Sequence, residues 1–250
     1  MPWTFSHPAI VFPLKHSRWG QFLNLPALIL GSLSPDLLYS FGLYRFASTA
    51  HHVVGWFYTA FPLCIFIYVM VYLLIEPLKQ IIPFPMQKNK LWNRRYFSIL
   101  IVSLFLGAMT HIIWDSFTHE SGAVVRNFSL LQFNFIHMSD KQEIAIYKLL
   151  QHMGSLLGLI YLCFKYYQYH KTQPNVTQKE NAIKLKNLSY IAVISGGLAL
   201  PVAYHLTPKV TSFHFNRFVY LELTLTVPFF FGLVVILALL KHNQLLGRYH

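Results

Sequence analysis

The strongest constraint on this chain is a series of apolar runs, each close to the roughly 20 residues that a helix needs to cross about 30 Å of hydrocarbon. Five stand out: Phe57 to Ile75, Phe97 to about Trp114, about Ile146 to Phe164, Leu188 to Leu206, and about Leu223 to Leu240. A backbone in lipid must satisfy its own N–H and C=O groups, so runs of this length read as helices. Tyr and Trp at many of the run edges fit the interfacial aromatic belt. Only 11% of the 250 residues are charged, against about 25% in soluble domains, which excludes an ordinary soluble globular protein. The expected fold is therefore all-α, an integral membrane helical bundle of about five transmembrane helices forming a single domain over residues 1–250.

Within that domain, residues 1–52 offer no span, because Lys15, Arg18, Asp36 and Arg45 interrupt every window. They read as short helices lying against the membrane surface, broken at Pro13, Pro26 and Pro35. Core spans occupy 53–164, residues 165–187 read as a polar cytoplasmic linker, and 188–250 hold the last two spans.

A formal charge of +12 would suggest nucleic acid in a soluble chain. Here the cations are scattered through the connections with no interleaved aromatic motif, so no nucleic-acid partner is expected. Sorted by topology, twelve Lys and Arg fall in Glu76–Tyr96, Lys165–Asn187 and the tail, against eight on the opposite face. The positive-inside rule makes the twelve-residue face cytoplasmic. The N-terminal stretch lacks the basic start, apolar stretch and small-residue site of a cleaved signal peptide. Cys64 and Cys163 each sit inside an apolar run, far from any Cys-x-x-Cys spacing, which removes a disulfide framework and a thiolate zinc site. Any metal must be held by imidazole and carboxylate.

Thirteen His against three Asp is the compositional anomaly. The same topology sorts it: His51, His52, His111, His119, His137, His152, His205 and His214 all fall at the less basic ends of the spans, and His7 and His16 join them if the N-terminal segment stays on that side. Ligand-type groups are thereby gathered at one membrane surface. The most informative stretch is GAMTHIIWDSFTHESG, Gly107 to Gly122, in which His111, Asp115 and His119 recur every four residues along one helix face. His111 and His119 would lie about 12 Å apart along the axis, too far to share one ion, so the row suits two metals or one metal with a supporting His. A solvated polar row at a span end is the plainer alternative.

GSLSPD, Gly31 to Asp36, reads as a turn that presents a carboxylate, with Ser34 and Pro35 also suiting an ordinary helix start. His51 and His52 precede the first span, and because neighbouring helical side chains diverge by about 100°, one of the two faces a site. His7 in TFSHP can reach the same surface. His152 in QHMGSLLG is either a ligand or a helix–helix hydrogen-bonding group, with Gly154 and Gly158 as close-packing positions.

PWTFSHP, GSLSPD and THIIWDSFTH together resemble an uncharacterised bacterial membrane-protein family, related to membrane-bound metal-dependent hydrolases and similar to zinc-dependent phospholipase C. The resemblance covers Pro2 to about Gly158. It implies a divalent metal cofactor, zinc, as one or two ions held by His7, Asp36, His51, His111 and Asp115, with His119 and His152 as further ligands or supports and Asp115 and His119 as the catalytic pair. Soluble phospholipases carry a late His-x-x-x-Glu, where this chain has Leu156 four residues after His152, so a third ion is not implied. The expected activity is phosphoester hydrolysis on a phospholipid or other envelope phosphate, with membrane lipid as partner, the inner membrane as location and the site on the extracytoplasmic side. The competing expectation is a multi-pass protein that binds metal for structure, sensing or transport.

Overall fold

A computed structural model describes residues 4–86, 93–139, 142–207 and 214–246. After a 3₁₀ helix at Thr4–Ile10 come α1 (Val11–His16), α2 (Leu25–Ser40), α3 (Tyr44–Ala50), α4 (Val53–Tyr58), α5 (Ala60–Leu73) and α6 (Ile75–Lys79). Then follow α7 (Arg94–Thr118), α8 (Ala123–Asn127), α9 (Ser129–Gln132), an antiparallel hairpin of β1 (Asn134–Ser139) and β2 (Gln142–Ala145), α10 (Ile146–Lys171), α11 (Asn175–Leu206) and α12 (Phe215–Leu246). The all-α expectation holds apart from this hairpin.

Among the described residues, three helical stretches are long and apolar enough to cross a membrane: Arg94–Asn127, Asn175–Leu206 and Phe215–Asn243. The other two expected spans are helical but differ in kind. The first is interrupted at Thr59 and at Leu74, which leaves the 14 residues of Ala60–Leu73 as its longest piece, about 21 Å of helix. The third lies in α10, which is long enough at 26 residues but carries Lys148, His152 and Lys165 among its apolar positions. The expected polar linker 165–187 is mostly helix, because α10 runs on to Lys171 and α11 begins at Asn175. Pro174 marks the break, since the residue before a proline disfavours helix and Pro suits the position just before the next one.

The chain divides into two compact units. The first comprises Met1–Leu37, Arg45–Ile65 and Lys90–Gln168. Its frame is the pairing of α2 with α7. Asn24 caps α2 by accepting from the Ala27 N–H at 2.9 Å, and its own N–H donates to Ser103 Oγ on α7 at 2.8 Å. One turn on, Gly107 lies against the Leu28 carbonyl, and Gly31 lies against the Leu104 carbonyl, so close that a Cβ at either glycine would collide with backbone. The two helices thus run together in register with main chains touching. α10 packs onto the same unit through small residues, with Gly154 under the Trp114 ring and Gly158 against Ser6.

The expected break at Pro35 does not occur, and GSLSPD is helix rather than turn. Pro35 has no N–H for the Gly31 carbonyl, and Ser34 Oγ supplies the missing donor at 2.7 Å. The same hydroxyl accepts from the Trp56 indole at 2.7 Å, with Trp56 fully buried. α2 therefore continues far enough to carry Asp36.

The second unit comprises Leu38–Tyr44, Phe66–Asn89 and Tyr169–His250. It is built on the α11–α12 hairpin, whose core gathers Leu74, Leu78, Ile81, Ile191, Val234 and Ala238. Lys184 Nζ donates to the Lys79 carbonyl at 2.8 Å and ties α11 to the end of α6.

Candidate metal centre

Four elements of the first unit bring titratable groups to one point. α7 supplies His111 and Asp115, one turn apart and both buried. α2 supplies Asp36, the turn after α3 supplies His51, and the N-terminal 3₁₀ helix supplies His7. The register between α2 and α7 explains how the first three meet. Asn24 touches Ser103, Leu28 touches Gly107 and Ser32 touches His111, a constant step of four on both helices, so the next step sets Asp36 beside Asp115.

The imidazoles are oriented by main-chain carbonyls. His111 Nδ1 donates to the Ser32 carbonyl at 2.7 Å and His51 Nδ1 to the Ala47 carbonyl at 2.8 Å, which turns both Nε2 atoms toward the carboxylates. His111 Nε2 lies 3.1 Å from Asp115 Oδ2 and 3.8 Å from Asp36 Oδ1, and His51 Nε2 lies 3.4 and 3.3 Å from the same two atoms. His7 stacks on the His111 ring at 3.8 Å between centroids, with its Nε2 3.8 Å from Asp115 Oδ1. The second oxygen of Asp36 accepts from Thr4 Oγ1 at 2.7 Å.

Asp36 Oδ1, His111 Nε2 and Asp115 Oδ1 are buried without a hydrogen-bond partner. Such atoms are costly to bury, and their convergence is the donor arrangement that a cation would satisfy. Among the described residues, two overlapping sets have ligand atoms within 4.8 Å of one another: Asp36, His51 and His111, and His7, His111 and Asp115. Oxygen and imidazole nitrogen donors of this kind suit zinc and other first-row divalent ions.

Electrostatics outside the spans follows from the same geometry. Burial opposes a charged His51, yet its contacts with Asp115 and Asp36 outweigh this and push the imidazole up to about 10. Burial also opposes ionisation of Asp36, but the charges of the neighbouring His111 and His51 hold its carboxyl below the usual value. His7 is held down to about 4 by burial and by the neighbouring His111, against the pull of Asp115.

Of the residues expected from sequence, His7, Asp36, His51, His111 and Asp115 come together. His119 stands beside them in a different role. It is the residue that ends α7, its Nδ1 lies 3.3 Å from Asp115 Oδ1, and its Nε2 accepts from Gln151 Nε2 at 3.0 Å. It flanks Asp115 on the side away from His51 and His111 and belongs to neither ligand set. His152 also belongs to neither set: it is exposed on α10, and its neighbour Gln151 makes the contact instead. Gly154 and Gly158 are the close-packing positions expected around it. His52, His205 and His214 are exposed, and the His137 side chain lies outside the described residues. Sequence reasoning did not assign Thr4, Ser32, Gln151, Gly31 or Gly107. Thr4 lies inside the TFSHP motif and Gly107 opens the His111 stretch, so those two had a signal.

A family described as a domain of unknown function, DUF4184, matches residues 1–241. No curated protein and no solved structure matches the chain. With nearly the whole length covered, from the His7 segment through the second unit, the chain belongs to the DUF4184 family.

Proposed function

We propose that the chain is a membrane-bound, metal-dependent phosphoester hydrolase, acting on a phospholipid or another phosphate of the cell envelope. The observation that carries this reading is the convergence of two buried carboxylates and three imidazoles, two of them aimed by backbone carbonyls, at the end of a membrane-spanning helix. A divalent ion held there, zinc by the donor set, would supply Lewis acidity for a phosphate oxygen and for the attacking water. Asp36, His51, His111 and Asp115 would hold it, and Asp115 Oδ1 with His7 forms a second side on which another ion could sit. His119, fixed by Gln151, orients Asp115 and is placed to move a proton at the edge of the site. A site at a bilayer surface reaches a lipid head group without extracting the lipid. In the same reading the α4–α5 segment and α10 complete five spans, and the Lys and Arg distribution supports an extracytoplasmic site on an inner membrane.

One observation favours a second reading, a metal that serves structure or sensing. Asp36, His51, His111 and Asp115 already make four donors, and closed four-coordinate sites are structural. Metal content and activity separate the two. Purified protein is expected to hold stoichiometric metal, lost in His111→Ala and Asp115→Ala, and to cleave a phosphodiester or phospholipid in a chelator-sensitive way. Metal without turnover supports the structural site. A wild-type protein without metal, or one fully active in strong chelator, refutes the proposed centre.

A further inference from the structure

The second unit carries a site that the metal centre does not use. Between the end of α11 and the first half of α12, closed by the Tyr39–Gly42 segment, lies a groove of about 460 Å³. That is within the range of about 300–1,000 Å³ typical of ligand sites. Its walls are mostly apolar: Val202 and Leu206 from α11, and Leu221, Leu225, Pro228 and Phe229 from α12. Gly42, at φ +73°, makes the turn between Tyr39 and Tyr44, both of which line the groove.

One end of the groove is charged. Arg217 precedes Leu221 by one helical turn and so shares its face of α12. Its guanidinium donates to Tyr44 Oη at 3.4 Å and lies over the Tyr44 and Tyr220 rings, 5.6 and 5.0 Å from their centroids. Tyr44 is also part of the groove wall. A cation is therefore held over two aromatic rings one helical turn before the groove lining on α12 begins, and it meets that lining through Tyr44; among the described residues its hydrogen bond goes to Tyr44 Oη, which leaves the other donors of its fork. From Leu221 to Phe229, the lining residues of α12, the helix rises about 12 Å, within the roughly 15 Å of hydrocarbon in one leaflet. The surrounding helix is among the most apolar in the chain, and only 11% of its spanning window is buried.

We propose that this groove seats an acyl chain of an anionic phospholipid, with the lipid phosphate on Arg217. The length of the slot matches a chain within one leaflet, and the cation at its interfacial end matches a phosphate head group whose remaining charge is not neutralised by choline. This lipid site stands apart from the hydrolase reading and needs no metal.

The test is native mass spectrometry of the full chain, purified in detergent with equal phosphatidylglycerol and phosphatidylcholine. Wild type is expected to retain phosphatidylglycerol in preference. Arg217→Gln, at an exposed position, is expected to lower that preference about fivefold, the effect of one cation near a membrane surface, while a lipid is still retained. Val202→Trp fills the groove from an exposed lining position and is expected to lower retention of both lipids. Metal content, measured on the same samples, is expected to stay constant in both variants, so failure of the metal centre and failure of the lipid site read out separately. Unchanged preference in Arg217→Gln together with unchanged retention in Val202→Trp overturns the proposal. So does a dimer that Val202→Trp converts to monomer, because the groove then belongs to a second copy of the chain.

Discussion

Replacing Gly107 by Ala tests whether the α2–α7 contact holds the proposed metal centre in shape. A Cβ at Gly107 would run into the Leu28 carbonyl oxygen, and one at Gly31 into that of Leu104. Both obstacles are backbone, so no rotamer change relieves them. Ordinary van der Waals contact requires about 3.5 Å, which means the helices must separate by roughly 1 Å to admit either methyl. Asp36 rides on α2 whereas His111 and Asp115 ride on α7, so that separation divides the ligand set. Metal ligands tolerate only about 0.2 Å of error in distance, and loss of affinity of about 100-fold or more is expected. Overpacking should cost stability by about 1–3 kcal/mol, against a helix-propensity gain of about 1 kcal/mol for Gly→Ala.

The control is Gly232→Ala, where a Cβ meets nothing within 4 Å, so only the propensity gain remains. Zinc affinity by competition titration and melting in detergent are the measurements, with Gly31→Ala as a second disruptive variant. Wild-type zinc affinity in both Gly31→Ala and Gly107→Ala would show that the helix contact does not set the site, and would refute the reasoning.

Asp115→Asn keeps the side-chain shape but leaves His111 and His51 with one counter-charge fewer in a buried place, so it should lose metal and melt lower, by about 3–5 kcal/mol in the apo protein; an unchanged melt counts against the buried pairing. Ser34→Ala strips a donor from the Gly31 carbonyl and an acceptor from the Trp56 indole, and each orphaned group should cost about 1–3 kcal/mol, read by thermal unfolding. His51, raised from 6.5 to about 10, is charged at neutral pH. Its pairing stabilises the apo protein fully below about pH 6.5 and loses that contribution as pH rises through about 10. An ion needs the Nε2 lone pair, so binding at pH 7 should expel about one proton and tighten as pH rises, measured by calorimetry in buffers of different ionisation heat; no proton release would contradict the assignment of His51 as a ligand.

The parts of the site that could be read from the sequence are those governed by local periodicity. His111-x-x-x-Asp115 follows from helical spacing inside an apolar run, and the structure keeps both residues on one face of α7. His119 looked like a third member of that row, but it is where the helix ends, with φ −115° and ψ 143°, so its ring is placed by Gln151 on α10. A boundary of one residue sets His119 beside Asp115 and outside both ligand sets, which leaves the supporting place that was the alternative to ligation. Asp36 was read as a carboxylate presented by a turn, and it stands on a helix instead. Pro35 is a sound sign of a turn, and only a hydroxyl one residue earlier, itself held by Trp56 from another helix, lets α2 continue. That compensation is tertiary and leaves no local mark. The five-span reading weighed apolar length above a local signal: Thr59 and Leu74 interrupt the first span, each three residues before a proline, and Pro62 and Pro77 have no N–H to offer the Tyr58 and Leu73 carbonyls.

The deeper regularity lay in the sequence but only as a pair. Asn24, Leu28, Ser32 and Asp36 form one row of i, i+4 positions, and Ser103, Gly107, His111 and Asp115 form another. Neither row alone makes a full donor set: the first contains no His, and the second offers only the His111–Asp115 pair. Set side by side at a fixed offset, each step acquires a function. Asn24 on Ser103 fixes the helix start, Leu28 on Gly107 allows main-chain contact, Ser32 on His111 sets the imidazole tautomer, and Asp36 beside Asp115 supplies the charge. The glycine sits one turn before the His because two helices must touch there if an imidazole is to reach a carbonyl across the gap at 2.7 Å. On this account the order of the steps matters as much as the residues, and shifting Gly107 by one position would cost the centre as surely as removing a ligand.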